Sequence, residues 1–237
     1  MAESARSVFI SGSRTQNQLS QEVLDSIDAI IGQGIKINLG DSNKGIDKEV
    51  ADLLRLENYK HVEIYTINQK PRIAIEKDWK VRYVHPDDGL NGQEQQMMKD
   101  RQMVNDSHWG LAIFDPIKKN RFGALQVSSG TLRNTIQMLL QGKSVKFFYV
   151  FENATRSHNL KGEEGLKQLE ALINSYQGER LSREEKDLIL SSRGVNKDDQ
   201  PATIKRNKIF SKFTDLLQSE RQLTASKDSD FQQTTLF

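Results

Sequence analysis

The chain has 237 residues, room for one domain with appendages or two small ones, and its 36% hydrophobic and 28% charged residues suit one core under a charged surface. A net charge of +2 gives no global basic field, so any anion site must be local. Cysteine is absent and the four histidines (His61, His85, His108, His158) have no ligand spacing, which excludes disulfides and thiol chemistry and leaves no metal or cofactor expected; with no apolar leader and no run near ~18 apolar residues, no membrane association and a cytoplasmic location are the expectation.

Residues 7–11, Ser-Val-Phe-Ile-Ser, read as a buried parallel strand stopping at Gly12. Residues 18–33 carry Leu19, Val23, Leu24, Ile27, Ile30 and Ile31 at helical spacing, with Gly32 and Gly34 as a stop. Residues 35–39 give a second strand ending at Gly40-Asp41. Gly45 to Tyr59 follows as a helix with Ile46, Val50, Leu53, Leu54 and Leu56 on its apolar face. His61 to Ile67 is a third strand. Residues 68–92 are irregular, with Pro71, Pro86 and a short strand near 81–84. A helix over 93–107 has an amide-rich face. Strand 109–114 ends at Asp115-Pro116, helix 131–141 follows, and 145–151 is a final apolar strand. Alternating strands and helices predict an α/β fold with a mainly parallel Rossmann-like sheet, a helical C-terminal extension and a flexible tail. The domain division is 1–151 for the α/β domain, 152–222 for the extension with helices at 163–176 and 203–222, and 223–237 for the tail, of which 223–231 reads as a linker.

In such sheets ligands sit at the carboxyl ends of strands near a topological switch point, so residues directly after strands are the site candidates. Ser11-Gly12-Ser13-Arg14 supplies a sharp turn, free N–H groups and a guanidinium for phosphate. Gly40, Asp41, Gly45 and Asp47 bracket a polar loop between a strand end and a helix start. The segment Lys99 to His108 could close a cation over a phosphate. Ser128-Ser129-Gly130-Thr131 opens a helix in an anion-cradling pattern. Each turn alone is equally an ordinary capped helix start; two of them in one sheet favour a shared ligand.

The order of Gly12-Ser13-Arg14, Gly45-Ile46-Asp47, Arg101 and Ser129-Gly130-Thr131-Leu132 resembles the SLOG superfamily, which includes the DNA-processing DprA (Smf) proteins and the LOG-type nucleotide phosphoribohydrolases. The resemblance covers residues 7–151, and nucleoside deoxyribosyltransferase-like proteins share much of the layout. It implies a nucleotide or nucleic-acid ligand, a role in DNA metabolism or in sensing a nucleotide signal, and self-association, with Gly12, Ser13, Arg14, Gly45, Asp47, Arg101, Ser129, Gly130 and Thr131 at the site, to which the turns add Gly40, Asp41 and Ser128. LOG-type enzymes carry a catalytic Glu in Gly-Gly-x-Gly-Thr-x-x-Glu; aligned on Gly130-Thr131, that position is Asn134, which is no base. The resemblance therefore favours binding over N-glycosidic catalysis, unless Asp41, Asp47 or Asp115 substitutes.

The C-terminus, Gln233-Thr234-Thr235-Leu236-Phe237, resembles the Gln-x-x-Leu-Phe peptides that bind the bacterial replication sliding clamp, with Leu236 and Phe237 as apolar anchors and Gln233 fixing register. The basic, aromatic stretch Lys205 to Phe213 reads better as a core helix than as a nucleic-acid contact, because Ile209, Phe210, Phe213, Leu216 and Leu217 fall at helical spacing.

Overall fold

The predicted alternation builds a Rossmann-like α/β sheet; the structure, a computed structural model, describes residues 6–119, 125–151, 154–176 and 201–234. The elements are β1 (Ser7–Gly12), α1 (Gln21–Gly32), β2 (Lys36–Gly40), α2 (Ile46–Leu56), β3 (Val62–Thr66), β4 (Lys80–Tyr83), α3 (Gly92–Asn105), β5 (Trp109–Phe114), β6 (Ile117–Lys119), β7 (Leu125–Val127), α4 (Ser129–Leu140), β8 (Ser144–Phe151), β9 (Ala154–Lys161), α5 (Gly162–Asn174) and α6 (Pro201–Thr234). Seven strands form one sheet in the order β4-β3-β2-β1-β5-β8-β9, parallel except for β9, which runs antiparallel to β8. The chain winds outward from β1 to β4, then crosses back to β5 and β8. The reversal lies between β1 and β5, where Gly12 pairs with Ile113 and both strands end.

Strand alternation sends successive side chains into two cores. Val8 and Ile10 of β1 meet Val23, Ile27, Ile30, Val50 and Leu54 of α1 and α2 on one face. Phe9 faces the other side with Met103, Leu132, Ile136 and Leu139 of α3 and α4. That second core continues into Leu166, Leu169 and Ile173 of α5 and Ile209, Phe213 and Leu216 of α6.

Three features depart from the sequence reading. The segment after 152 is not a separate extension: β9 extends the sheet, and α5 and α6 pack on α4 within the same core. β9 escapes a reading by apolar pattern because its stretch Arg156-Ser157-His158-Asn159 is polar on an edge strand, and from 156 to 161 Leu160 is the one deeply buried residue. The expected linker at 223–231 is instead helical, since α6 runs to Thr234 and no Gly or Pro follows Pro201 to break it. A short hairpin, β6 with β7, also intervenes before α4. Among the described residues no helix is long and apolar enough to cross a membrane.

Candidate functional site

The site forms where β1 and β5 end. Gly12 is dictated by packing: a Cβ there would lie 2.3 Å from Cγ1 of Ile46, so only glycine lets the first residue of α2 approach β1. The Ile46 N–H donates to the Ser13 carbonyl at 3.2 Å. Gly45 has φ +68°, and a Cβ there would meet the backbone of Ser13 and Arg14, so this glycine lets the two loops cross.

Ser13 then links the two predicted turns. Its buried hydroxyl lies 2.7 Å from Thr15 Oγ1 and 3.4 Å from Ser128 Oγ. Ser128 sits at the N-cap position of α4, yet its side chain does not cap the helix. The first turn of α4, Ser129-Gly130-Thr131, thus faces the β1 loop without a side-chain cap. By contrast α3 is closed by a reciprocal box: Asn91 accepts from the N–H groups of Gln93 and Glu94, and the Glu94 carboxylate accepts from the N–H of Asn91.

Between these walls lies a cavity of about 400 Å³. Of the sequence candidates, Gly12, Ser13, Arg14, Gly40, Asp47, Ser128, Ser129, Gly130 and Thr131 line it. A Cβ on Gly130 would meet nothing within 4 Å, so that position opens onto free space. Phe9, Met97 and Met103 give an apolar wall, and Gln93, Gln96, Asp100, Arg133 and Asn134 a polar one.

Three candidates fall elsewhere. Asp41 is fully buried behind the cavity: Arg72 donates to both its oxygens at 2.7 and 3.1 Å, Thr66 at 2.8 Å, Asn68 at 3.1 Å and Lys99 at 3.2 Å. Burial alone would raise its pKa, but the Arg72 hydrogen bonds, with Lys99 and Thr66, outweigh it and hold the carboxyl well below the usual range. Asp41 is therefore an anchor that holds Lys99 at the cavity. Gly45 shapes the loop without lining the cavity. Arg101 points away from it and donates to Glu220 of α6 at 3.1 Å. The reason is helix phase: residues 93, 96, 97, 100 and 103 share the inward face of α3, and 101 is a third of a turn off.

Two carboxylates remain at the cavity, and both titrate high. A Cβ on Gly40 would lie 2.4 Å from Asp47 Oδ2 and 3.4 Å from Lys99 Nζ, so that glycine makes room for the ion cluster. Asp47 accepts the Ser42 N–H at 3.3 Å. Burial pushes its pKa from the ordinary 3.8 up to about 6, with the Asp100 charge adding and Lys99 and Arg14 opposing. Burial also raises Asp100, against Lys99 and a hydrogen bond from Asn134. Asn134 is 5% exposed, and its Oδ1 has no hydrogen-bond partner among the described residues. With its amide nitrogen given to Asp100, that orphan oxygen is an acceptor available to something in the cavity.

Sequence reasoning missed Gln96 and Met97 and did not single out Lys99, Asp100 or Arg133 within their segments. Of the C-terminal candidates, Gln233 lies in α6, and Leu236 and Phe237 lie outside the described residues. No group of three or more His, Asp or Glu among the described residues is arranged to hold a metal ion. The chain matches no protein-family model and no curated protein.

Proposed function

We propose that this cavity binds a nucleoside phosphate, its phosphate against the first turn of α4 and the Arg14 loop and its base against the apolar wall. The observation that carries the reading is the 3.4 Å approach of Ser13 to Ser128, which brings two glycine-bearing turns together at the switch point of the sheet. The buried, unpartnered Oδ1 of Asn134 supports it independently. A volume of about 400 Å³ suits a mononucleotide, and a net charge of +2 offers no broad field for a duplex. Asp47 and Asp100, which line the same cavity, are assigned on this reading to ribose hydroxyls, as acidic residues are in other switch-point sites. The test is calorimetric titration with AMP and inorganic phosphate, wild type against Arg14→Gln. Saturable binding weakened by the substitution is expected; binding that is absent, or equal in both proteins, overturns the reading.

On this proposal the chain is a SLOG-like protein of DNA metabolism, recruited to the sliding clamp through Gln233, Leu236 and Phe237. Loss of clamp affinity on deletion of residues 233–237 is the expected result, and unchanged or absent affinity removes the recruitment.

A second reading, cleavage or exchange of an N-glycosidic bond, is favoured by one specific observation: Asp47 and Asp100 line the same cavity with raised pKa values. A carboxyl titrating near 6 can protonate a leaving base near neutral pH, while the second carboxylate takes a proton from water. Release of free base from a nucleoside monophosphate, lost in Asp47→Asn, is its signature; no release from any of the common nucleotides refutes it.

A further inference from the structure

Glu220 of α6, on a different element from every residue that lines the cavity, sits at the centre of a buried cluster. Its side chain is 4% exposed. Oε2 accepts from Arg101 of α3 at 3.1 Å and from Gln137 of α4 at 2.9 Å. Oε1 lies 3.4 Å from Nε of Arg133, in ion-pair range but not aligned as a hydrogen bond, so both atoms are left without a hydrogen-bond partner. Arg133 is the only member of this cluster that also lines the ligand cavity. One carboxylate thus faces two guanidinium groups, and the second of them reaches the site.

We propose that Glu220 is a positioning residue for Arg133, which supplies a phosphate contact in the cavity, so that docking of α6 and ligand binding are coupled. This rests on the nucleoside-phosphate reading above. The guanidinium is a planar fork: one edge set by a fixed carboxylate leaves the other donors oriented toward the cavity, with less freedom to lose when an anion arrives. Oε1 can complete its bond to Nε only by a small turn of Arg133, the motion that an anion on its far side would draw out or oppose. Arg101 and Gln137 hold Glu220 in place, so Arg133 does not have to. Coupling is reciprocal, and a phosphate that favours the oriented Arg133 must in turn favour the docked α6. α6 also carries Gln233, so the same coupling connects the cavity to the C-terminal end of the chain.

The experiment is titration of inorganic phosphate and AMP into wild type, Glu220→Gln, Arg133→Gln, the double variant and Arg221→Gln, with melting curves for each. Arg221 is next to Glu220 but pairs with Glu163 of α5, so its variant reports simple loosening of α6. Glu220→Gln and Arg133→Gln are each expected to weaken binding about tenfold, the double variant no more than Arg133→Gln alone, and Arg221→Gln not at all. Bound phosphate is expected to slow hydrogen exchange of α6 amides in wild type and not in Glu220→Gln. Should Glu220→Gln fail to fold, Glu220→Asp, which keeps the charge but shortens its reach, takes its place with a smaller loss in affinity. Wild-type affinity in the folded Glu220 variant, or additive losses in the double variant, overturns the coupling alone. Failure of wild type to bind either probe overturns the site reading, and the role of Glu220 with it.

Discussion

Replacing Asp47 by Asn should make the protein more stable at neutral pH. In the unfolded chain this carboxyl titrates near 3.8, and in the fold near 6. Between those values the folded state holds the extra proton, so stability falls as pH rises from about 4 to about 6 and is flat above. The gap of roughly 2 pK units at ~1.36 kcal/mol each amounts to about 3 kcal/mol, an upper figure because Asp47 retains some solvent contact. Asn keeps an oxygen to accept the Ser42 N–H and removes the charge that Asp100 opposes, so no bond is lost in exchange. The gain of Asp47→Asn over wild type should be near zero below about pH 4 and reach as much as about 3 kcal/mol by about pH 8. Urea denaturation of both proteins across that range measures it. A gain that does not depend on pH, or a loss at pH 8, would refute the claim that an ionised Asp47 strains the fold. On the cleavage reading the same variant should turn over nucleotide less well, the expected trade when a buried charge is kept for function.

Two glycines separate packing from binding. Gly12→Ala forces a methyl against Ile46 and should cost about 1–3 kcal/mol in denaturant melts, whereas Gly130→Ala meets open space and should leave stability unchanged or slightly higher while lowering phosphate affinity. Equal effects of the two on stability would contradict the packing described. Asp41→Asn should destabilise by about 3–5 kcal/mol, because it leaves Lys99 and Arg72 without their shared carboxylate; a melting temperature equal to wild type would show that Asp41 is not the anchor. Deleting residues 233–237 should leave phosphate affinity intact and abolish sliding-clamp binding in a pull-down, and retention of the clamp would assign that binding elsewhere.

What the sequence displays depends on how many faces of an element are buried. β1, β5 and β8 carry apolar runs (Val8 to Ile10, Leu111 to Phe114, Phe147 to Val150), and β2 and β3 set apolar residues on either side of Asn38 and Glu63, so their order and the turns after them are legible. The nine cavity residues named from those turns follow from that order. Polar pairings across the fold leave no such trace: Asp41 and Lys99 are 58 positions apart, and nothing near either reports the other. α3 is the instructive failure. Its inward face is built from Gln93, Gln96, Met97, Asp100 and Met103, too polar to fix a helical phase, and Arg101, matched by its place before β5 in the resemblance, turns toward α6 instead of the cavity. α6 was legible as a core helix from Ile209, Phe213 and Leu216, but not as the element that carries Glu220 to Arg133.

Asn134 is where the two functional readings part. Read in one dimension, it is a missing carboxylate. In the fold, its amide nitrogen serves Asp100, and the negative charge of the site is carried on α2 and α3 rather than α4. At the phosphate itself the two carboxylates are a cost, since each repels the anion; Lys99, Arg14 and Arg133 offset them, and the raised pKa values lessen the repulsion by protonation. Asp100→Asn therefore discriminates. If the cavity only binds, removing the charge should tighten phosphate binding several-fold, a shift of about 1 kcal/mol in titration. If Asp100 takes part in chemistry at the ribose, affinity for the nucleotide should rise in the same way while release of free base stops. Weaker phosphate binding in Asp100→Asn would contradict both readings, because it would mean that the carboxylate organises the cations of the site more than it opposes the anion.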